Sequence, residues 1–398
     1  MSDAASRSAG VKSTGVHRPT VAEIDLGAIT HNFGVVRDHL GDEGAAPPRI
    51  YAVVKADAYG HGAVPVAKAL AQAGVDGFCV ALVEEGMELR DAGIALPVLV
   101  MSGLYGEGLG AALDAGLTPV IHDPSQLEAL ARARGRAAVG VHLKVDTGMG
   151  RLGVTLDALP GFVAALADQR HVVVEGLMTH LATADADDLA ATRAQLAAFD
   201  RADGILGAAG FVPAVRHVAA SAAAFRVPEA RRDLVRLGIA LYGVAPFPHA
   251  GPGLLPAMRL RTEVIAVREV PAGARIGYGG AWRTGRRSVL ATLPIGYADG
   301  FFRRLSSEAE VLLHGQRCRV VGNVSMDMTS VDVTDLAASG VVRVGDEAVL
   351  LGAQRGRAGF DCIRAEEIAQ RVGTIPYEVL TAVSRRVPRV YRNPTGHV

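Results

Sequence analysis

Eight short apolar runs, with Ala- and Leu-rich stretches between most of them, constrain the fold of this chain more than any other feature. They cover residues 50–55, 77–82, 97–101, 119–122, 139–145, 172–178, 215–219 and 234–241. Runs of this length bounded by turn residues read as buried strands. The stretches between them, such as 65–73, 125–133 and 187–206, place apolar residues at helical spacing. Strands buried on both faces need covering helices. Eight such strand–helix repeats predict a (β/α)8 barrel better than an open doubly wound sheet. No GxGxxG follows an early strand, so a dinucleotide-binding fold lacks its main signal.

Between Phe247 and Pro256 the pattern changes. Pro and Gly cluster, and helical periodicity gives way to short alternating runs at 261–270, 288–293, 310–313, 317–321, 330–333 and 348–351. These predict antiparallel strands joined by turns. One helix is expected over 364–372, capped by Asp361, with Ala365 and Ile368 on its apolar side. Ahead of the barrel repeats, 21–26 alternates like a strand and 28–40 has helical spacing. The expected organisation is an α/β chain: a disordered tail over 1–19, a barrel over 20–255, a mostly antiparallel β domain over 256–391, and a polar tail over 392–398. The first segment is rich in Ser, Ala and Gly without an apolar h-region, so it reads as a tail and not a signal peptide.

Charge and cysteine content narrow the partners. Lys+Arg and Asp+Glu are both 41, which argues against nucleic acid or an anionic membrane as the main partner. Cys79, Cys318 and Cys362 are too few and too scattered for a disulfide framework or a zinc site, so no metal is expected. No apolar run is long enough to span a membrane, and the expected compartment is the cytoplasm.

Barrel active sites lie at the carboxyl ends of the strands, often with phosphate bound after strands seven and eight. There the sequence places Lys55, His122, Asp146, His180, Ser221 and Gly238. A lysine ending a buried strand can snorkel to solvent; alternatively, desolvation lowers its pKa and suits it to a Schiff base with a carbonyl. The hydroxyl of Ser221 and exposed backbone N–H groups near Gly238 are good phosphate donors. In Arg275-Ile-Gly-Tyr278-Gly-Gly-Ala-Trp282 a tyrosine sits among glycines, either packed on a tight turn or poised for chemistry.

Ala52-Val-Val-Lys55-Ala-Asp-Ala-Tyr59-Gly-His-Gly62 resembles the cofactor-lysine motif of the alanine racemases, a pyridoxal-phosphate family. Four further segments resemble the same family in the same order: His142-Leu-Lys144 to Arg151-Leu-Gly153, Leu177-Met-Thr-His180, Asp233-Leu-Val-Arg236-Leu-Gly238-Ile239, and the Tyr278 segment. The resemblance implies that Lys55 carries pyridoxal 5'-phosphate as an internal aldimine. It implies that Tyr59, Ser221, Gly238, Ile239 and Tyr377 hold the phosphate, that Arg236 faces the pyridine nitrogen, and that His180 stacks near Tyr278. Arg151 would bind the phenolic oxygen and the substrate carboxylate, which also meets the Met326 N–H. Tyr297 and Asp327 would line the entrance, and Lys144 matches a position often carbamylated. Lys55 and Tyr278 would be the two bases of an L-/D-alanine racemisation, Tyr278 reaching the other subunit's active site in a homodimer. Alternatives are a racemase of serine or another amino acid, a decarboxylase of similar architecture, and a non-catalytic carrier of the cofactor. Two departures from the family stand out: Ala220 where Asn is common before the serine, and Asn323 where Arg is usual.

Overall fold

The computed structural model describes residues 17–41, 46–102, 104–132, 138–247, 253–340 and 342–392. Of the expected tails over 1–19 and 392–398, residues 1–16 and 393–398 lie outside these, as do residues 248–252 of the Pro/Gly cluster; Arg18 is ion-paired with Asp299, and Arg392 ends a strand, so neither belongs to a disordered tail. The chain forms two compact units: Ile24–Met258 with Ile375–Thr381 in one, and Arg259–Thr374 with Ala382–Val390 in the other, to which the residues before Ile24 also belong.

The first unit is the predicted barrel. Its strands are Arg49–Val53, Gly77–Val80, Val98–Val100, Thr118–Ile121, Val139–Asp146, Val172–Met178, Val215–His217 and Leu234–Leu237. They pair in parallel in chain order, and the eighth pairs with the first in the register Leu234↔Arg49. The remaining seam, between the seventh and eighth, is closed by an Ala220–Arg236 bridge and by the Arg236 N–H donating to the Ala219 carbonyl at 3.0 Å. Runs buried on both faces, such as Gly77–Val80, are what a covered parallel sheet requires. Helix Leu26–Gly41 shows the complementary pattern, burying Ile29, Phe33, Val36 and Leu40 along one stripe. The polar member of that stripe is Asn32. Its amide donates to the Leu241 and Leu255 carbonyls (3.0 and 2.8 Å) and accepts from the Leu255 N–H at 2.7 Å.

The second unit is built on a mostly antiparallel sheet. Its strand order is Ala266–Val270, Ser288–Leu293, Thr329–Asp332, Gln316–Val320, Glu310–Leu313, Glu347–Gly356, Met258–Glu263, Val21–Asp25 and Arg389–Arg392, with Gly359–Ile363 against Glu347–Gly356. Met258–Glu263 alternates buried with half-buried positions, as a sheet with one covered face should.

Several expectations change. The run 261–270 is two strands, Met258–Glu263 and Ala266–Val270. The run 234–241 ends as a strand at Leu237, and Ile239–Tyr242 turns into a 3₁₀ helix. The expected helix is Ala365–Val372, and it buries Ala365, Ile368 and Ala369. Asp361 does not cap it. Its carboxylate instead accepts from Arg317 Nε at 2.7 Å, within an ion-pair group that also holds Glu310, Glu367 and Arg371. Asp361 lies inside the strand Gly359–Ile363, and Arg364 takes the N-cap position of the helix. Further short helices, Thr334–Ser339 and Pro376–Ala382, join it.

Candidate active site

The barrel unit contains a cavity of about 520 Å³ at the carboxyl ends of its strands, lined among others by Lys55, Tyr59, Lys144, Arg151, Arg236 and Tyr377. Lys55 follows the first strand and begins an unusual turn. Ala56, Asp57, Ala58 and Tyr59 all have φ between 51° and 55°, a left-handed helical turn without glycine. For L-residues this conformation costs roughly 1–2 kcal/mol each. Several bonds hold it. The Ala58 N–H donates to the Val54 carbonyl (2.9 Å), Ala56 N–H to Glu85 Oε1 (2.7 Å) and Ala63 N–H to Asp57 Oδ1 (2.7 Å). The turn leaves both Lys55 and Tyr59 facing the cavity.

No described residue bonds or pairs with the Lys55 amine. Desolvation, then the nearby Arg151 charge, pushes its pKa below the ordinary lysine value. Both effects favour the neutral amine, the form that attacks a carbonyl or takes a proton. Lys144, inside the fifth strand, is buried and likewise without a partner among the described residues. Desolvation, Arg151 and Arg236 push it down to about 8.

Arg236 is fully buried in the eighth strand, and its guanidinium is held from behind. Nη1 donates to His217 Nδ1 (2.8 Å) and to the His217 carbonyl (3.0 Å). Nη2 donates to the Thr179 and Val218 carbonyls (2.8 and 3.1 Å) and approaches His180 Nδ1 at 3.4 Å. Among the described residues only its Nε–H lacks an acceptor, on a side chain that lines the cavity. Burial lowers its pKa to about 10, so it remains a cation at neutral pH.

Two histidines left without a role in the sequence reading complete this support. His217 Nε2 meets His142 Nδ1 at 2.8 Å. Because Arg236 must donate to His217 Nδ1, His217 carries its proton on Nε2 and donates it to His142. Desolvation, then Arg236, keeps both rings neutral, His142 at about 4 and His217 well below its ordinary value. His180, lowered to about 3 by desolvation and the same arginine, is neutral too. Their spacing in sequence carries no motif; only the closure of the barrel, which turns residues of the fifth, seventh and eighth strands inward, brings them together with Arg236. Ala220 supplies no side-chain bond to Arg236, and none is missed, because all four Nη donors already have acceptors.

At the far end of the cavity the donors are neutral. Ser221 Oγ accepts from the Gly238 N–H (3.0 Å) and Ala240 N–H (3.5 Å), which leaves its own proton to donate outward. The Ile239 N–H opens the 3₁₀ turn Ile239–Tyr242 and has no acceptor within it. The Tyr59 and Tyr377 hydroxyls have no acceptor among the described residues. Burial raises both pKa values, so both stay protonated donors. Among the described residues no group of His, Cys, Asp or Glu could hold a metal ion, and no helix is long and apolar enough to cross a membrane.

The other expected site residues belong to the second unit. Tyr278 opens a turn between the short strands Arg275–Ile276 and Trp282–Arg283, where Gly277 and Gly279 have φ of 75° and 72°. Its side chain is exposed, and its carbonyl accepts from Asn323 Nδ2 at 2.9 Å. Tyr297, Met326 and Asp327 lie on two adjoining turns, with the Tyr297 N–H bonded to the Ser325 carbonyl and the Ala298 N–H to that of Met326.

Comparison with known proteins assigns both units. Residues 24–246 match the family described as "Alanine racemase, N-terminal domain", and 257–391 match "Alanine racemase, C-terminal domain". The chain is 50% identical to the alanine racemase of Sorangium cellulosum over 95% of its length and 100% of that protein. It resembles the crystal structure of alanine racemase from Bacillus anthracis with bound L-Ala-P (TM-score 0.88, 34% identity, 96% of this chain and 97% of that one). It also resembles that from Bartonella henselae with covalently bound pyridoxal phosphate (TM-score 0.84, 31% identity, 94% and 99%).

Proposed function

Because the chain belongs to the alanine racemase family, we propose that it interconverts L- and D-alanine using pyridoxal phosphate held in the barrel cavity. The observation that carries this reading is the set of unused donors around that cavity. The hydroxyls of Tyr59, Ser221 and Tyr377 and the Ile239 N–H suit a phosphate. The Arg236 Nε–H suits a ring nitrogen, Arg151 suits a phenolate, and the neutral-leaning Lys55 suits an aldehyde carbon.

When bound, pyridoxal phosphate supplies a carbonyl carbon for amines and an electron sink that acidifies a neighbouring C–H. Lys55 would hold that carbon at rest and, with its amine free, would act as a base on one face of the α-carbon. Tyr278 serves the opposite face, so one residue removes a proton while the other returns one. Arg236 cannot hand over its proton readily; it donates to the ring nitrogen without protonating it, which restrains charge build-up and the side reactions that follow. Arg151 and the Met326 N–H orient the substrate carboxylate, and Tyr297 and Asp327 narrow the way in. Lys144 adds CO2 through its free amine, forming an N–C bond and releasing a proton to solvent; the resulting carbamate pairs with Arg151.

The active form is a cytoplasmic homodimer in which Tyr278 completes the partner's cavity. The exposure of Tyr278 on its turn supports this. The test is racemisation across amino acids with added cofactor, alanine expected to lead serine. In deuterated water, Tyr278→Phe should still exchange the α-hydrogen of D-alanine and scarcely that of L-alanine. Equal exchange of both enantiomers would remove Tyr278 from the mechanism.

A further inference from the structure

A buried carboxylate in the second unit ties together four separate stretches of chain. The side chain of Asp299 is fully buried. One oxygen, Oδ2, accepts from the Gly296 N–H at 3.0 Å. The other, Oδ1, accepts from Arg18 Nη1 at 2.8 Å and lies 3.6 Å from Arg386 Nε. Arg18 also donates from Nη2 to the Arg386 carbonyl at 3.0 Å. Arg386 continues outward, donating from Nη2 to Asp327 Oδ1 at 2.7 Å. The charges therefore alternate, Arg18–Asp299–Arg386–Asp327, from the start of the described chain, through the Tyr297 turn and the last segment, to the Met326 turn.

A buried carboxylate needs pairing and hydrogen bonds to offset its desolvation. Here those partners also set geometry. Through Gly296, Asp299 closes the turn that presents Tyr297, and the Asp299 carbonyl accepts from the Ser384 N–H at 3.1 Å. The two turns are packed too closely for side chains: a Cβ on Gly296 would lie 2.2 Å from the Ser325 carbonyl oxygen. The Met326 carbonyl is taken by the Ala298 N–H, while the Met326 N–H has no partner among the described residues. The turns that carry an open N–H and an exposed tyrosine are thus held together by groups that bond to neither of those two features.

We propose that Arg18, Asp299 and Arg386 are positioning residues that fix the Tyr297 turn against the Met326 turn, and so set how well the substrate carboxylate is received. The catalytic consequence rests on the functional reading given above. These residues touch neither substrate nor cofactor. Their loss should weaken substrate capture and leave the proton transfers in place.

The test uses the full-length, cofactor-loaded protein with Arg18→Met, Arg386→Gln and the conservative Arg386→Lys. Arg386→Gln should raise KM for alanine about tenfold with kcat nearly unchanged, and Arg386→Lys should recover part of the loss. Because Arg386 and Asp327 form one pair, Arg386→Gln and Asp327→Asn should be less than additive in KM. Independently of activity, deuterium uptake at the Tyr297 and Ala298 amides should quicken in Arg18→Met and Arg386→Gln. Asp299→Asn is the harsher variant; if it does not fold, the half-exposed arginines still decide. Unchanged uptake and unchanged KM in both arginine variants overturn the proposal. Quickened uptake in a protein that racemises nothing would support the positioning and sink the functional reading instead.

Discussion

The Tyr59 hydroxyl occupies the space that a side chain at position 238 would need: a Cβ on Gly238 would lie 2.7 Å from Tyr59 Oη. The Tyr59 ring cannot swing aside, since it packs on Tyr242 and Tyr377 with centroids 4.8 and 5.9 Å away. The backbone at Gly238 has φ of −115° and ψ of −102°, outside the regions open to L-residues, so Gly238→Ala meets a backbone cost as well as a steric one. Overpacking of this kind costs about 1–3 kcal/mol. Titration of apo-protein with pyridoxal phosphate should show at least tenfold weaker binding for Gly238→Ala, roughly 1.4 kcal/mol. In a Tyr59→Phe background, which lacks that hydroxyl, the further loss of binding caused by Gly238→Ala should be smaller. Unaltered binding in the single variant would mean that the hydroxyl is not held against this backbone.

The proposed sharing of active sites between two subunits makes a prediction about mixtures. Lys55→Ala and Tyr278→Phe protomers, each inactive alone, should regain activity when mixed and allowed to exchange subunits, because each heterodimer then has one complete site. With exchange verified by mass-tagged protomers, a mixture as inactive as its components would place both bases in one chain.

Lys144 should give a pH signature. Its folded pKa of about 8 lies below the ordinary 10.5. Between those values the unfolded chain binds more protons than the folded one, so unfolding free energy rises with pH across that window. Below about pH 8 the penalty for burying the cation is fully present. In CO2-free buffer the stability of wild type relative to Lys144→Met should therefore climb from pH 8 to 10.5. A flat difference would show that the amine is not desolvated. With 13C-labelled bicarbonate, wild type should show a carbamate carbon resonance that Lys144→Met lacks.

Asn32 should matter for stability and not for chemistry. Replacing it with Leu keeps the size of the side chain but leaves the Leu241 and Leu255 carbonyls and the Leu255 N–H without their partner. Unsatisfied buried groups cost about 1–3 kcal/mol each. The urea midpoint of Asn32→Leu should fall well below that of wild type, while the KM of the residual folded enzyme stays the same. An unchanged midpoint would indicate that water replaces the amide.

The barrel was legible because burial on both faces forces continuous apolar runs, and each of the eight runs contains a strand. Lys55 and Tyr59 were legible from their motif, but the left-handed turn joining them was not. Ala, Asp, Ala and Tyr carry no signal for positive φ, and the turn is held by Glu85, distant in sequence, and by the Asp57 carboxylate reaching on to the Ala63 N–H. The support of Arg236 by His217 and His142 was hidden for a similar reason: it depends on which strands are neighbours and on nothing in the local pattern. Asp361 misled because a cap is a local expectation, whereas the strand Gly359–Ile363 carries its carboxylate to Arg317, distant in sequence. Tyr377 was expected at the cofactor phosphate. It lines the cavity because Ile375–Thr381 returns to the barrel unit, a return that no composition shift announces.

The second unit's sheet sets Val21–Asp25 beside Arg389–Arg392, and the Ala22 N–H donates to the Pro388 carbonyl at 3.0 Å. During translation the first of these strands leaves the ribosome earliest and the second almost last. The barrel strands can pair as they emerge, yet Val21–Asp25 must wait for Met258–Glu263 and then for the far end of the polypeptide before its edges are matched. Nascent chains stalled before Pro388 should therefore carry an assembled barrel and an unfinished sheet.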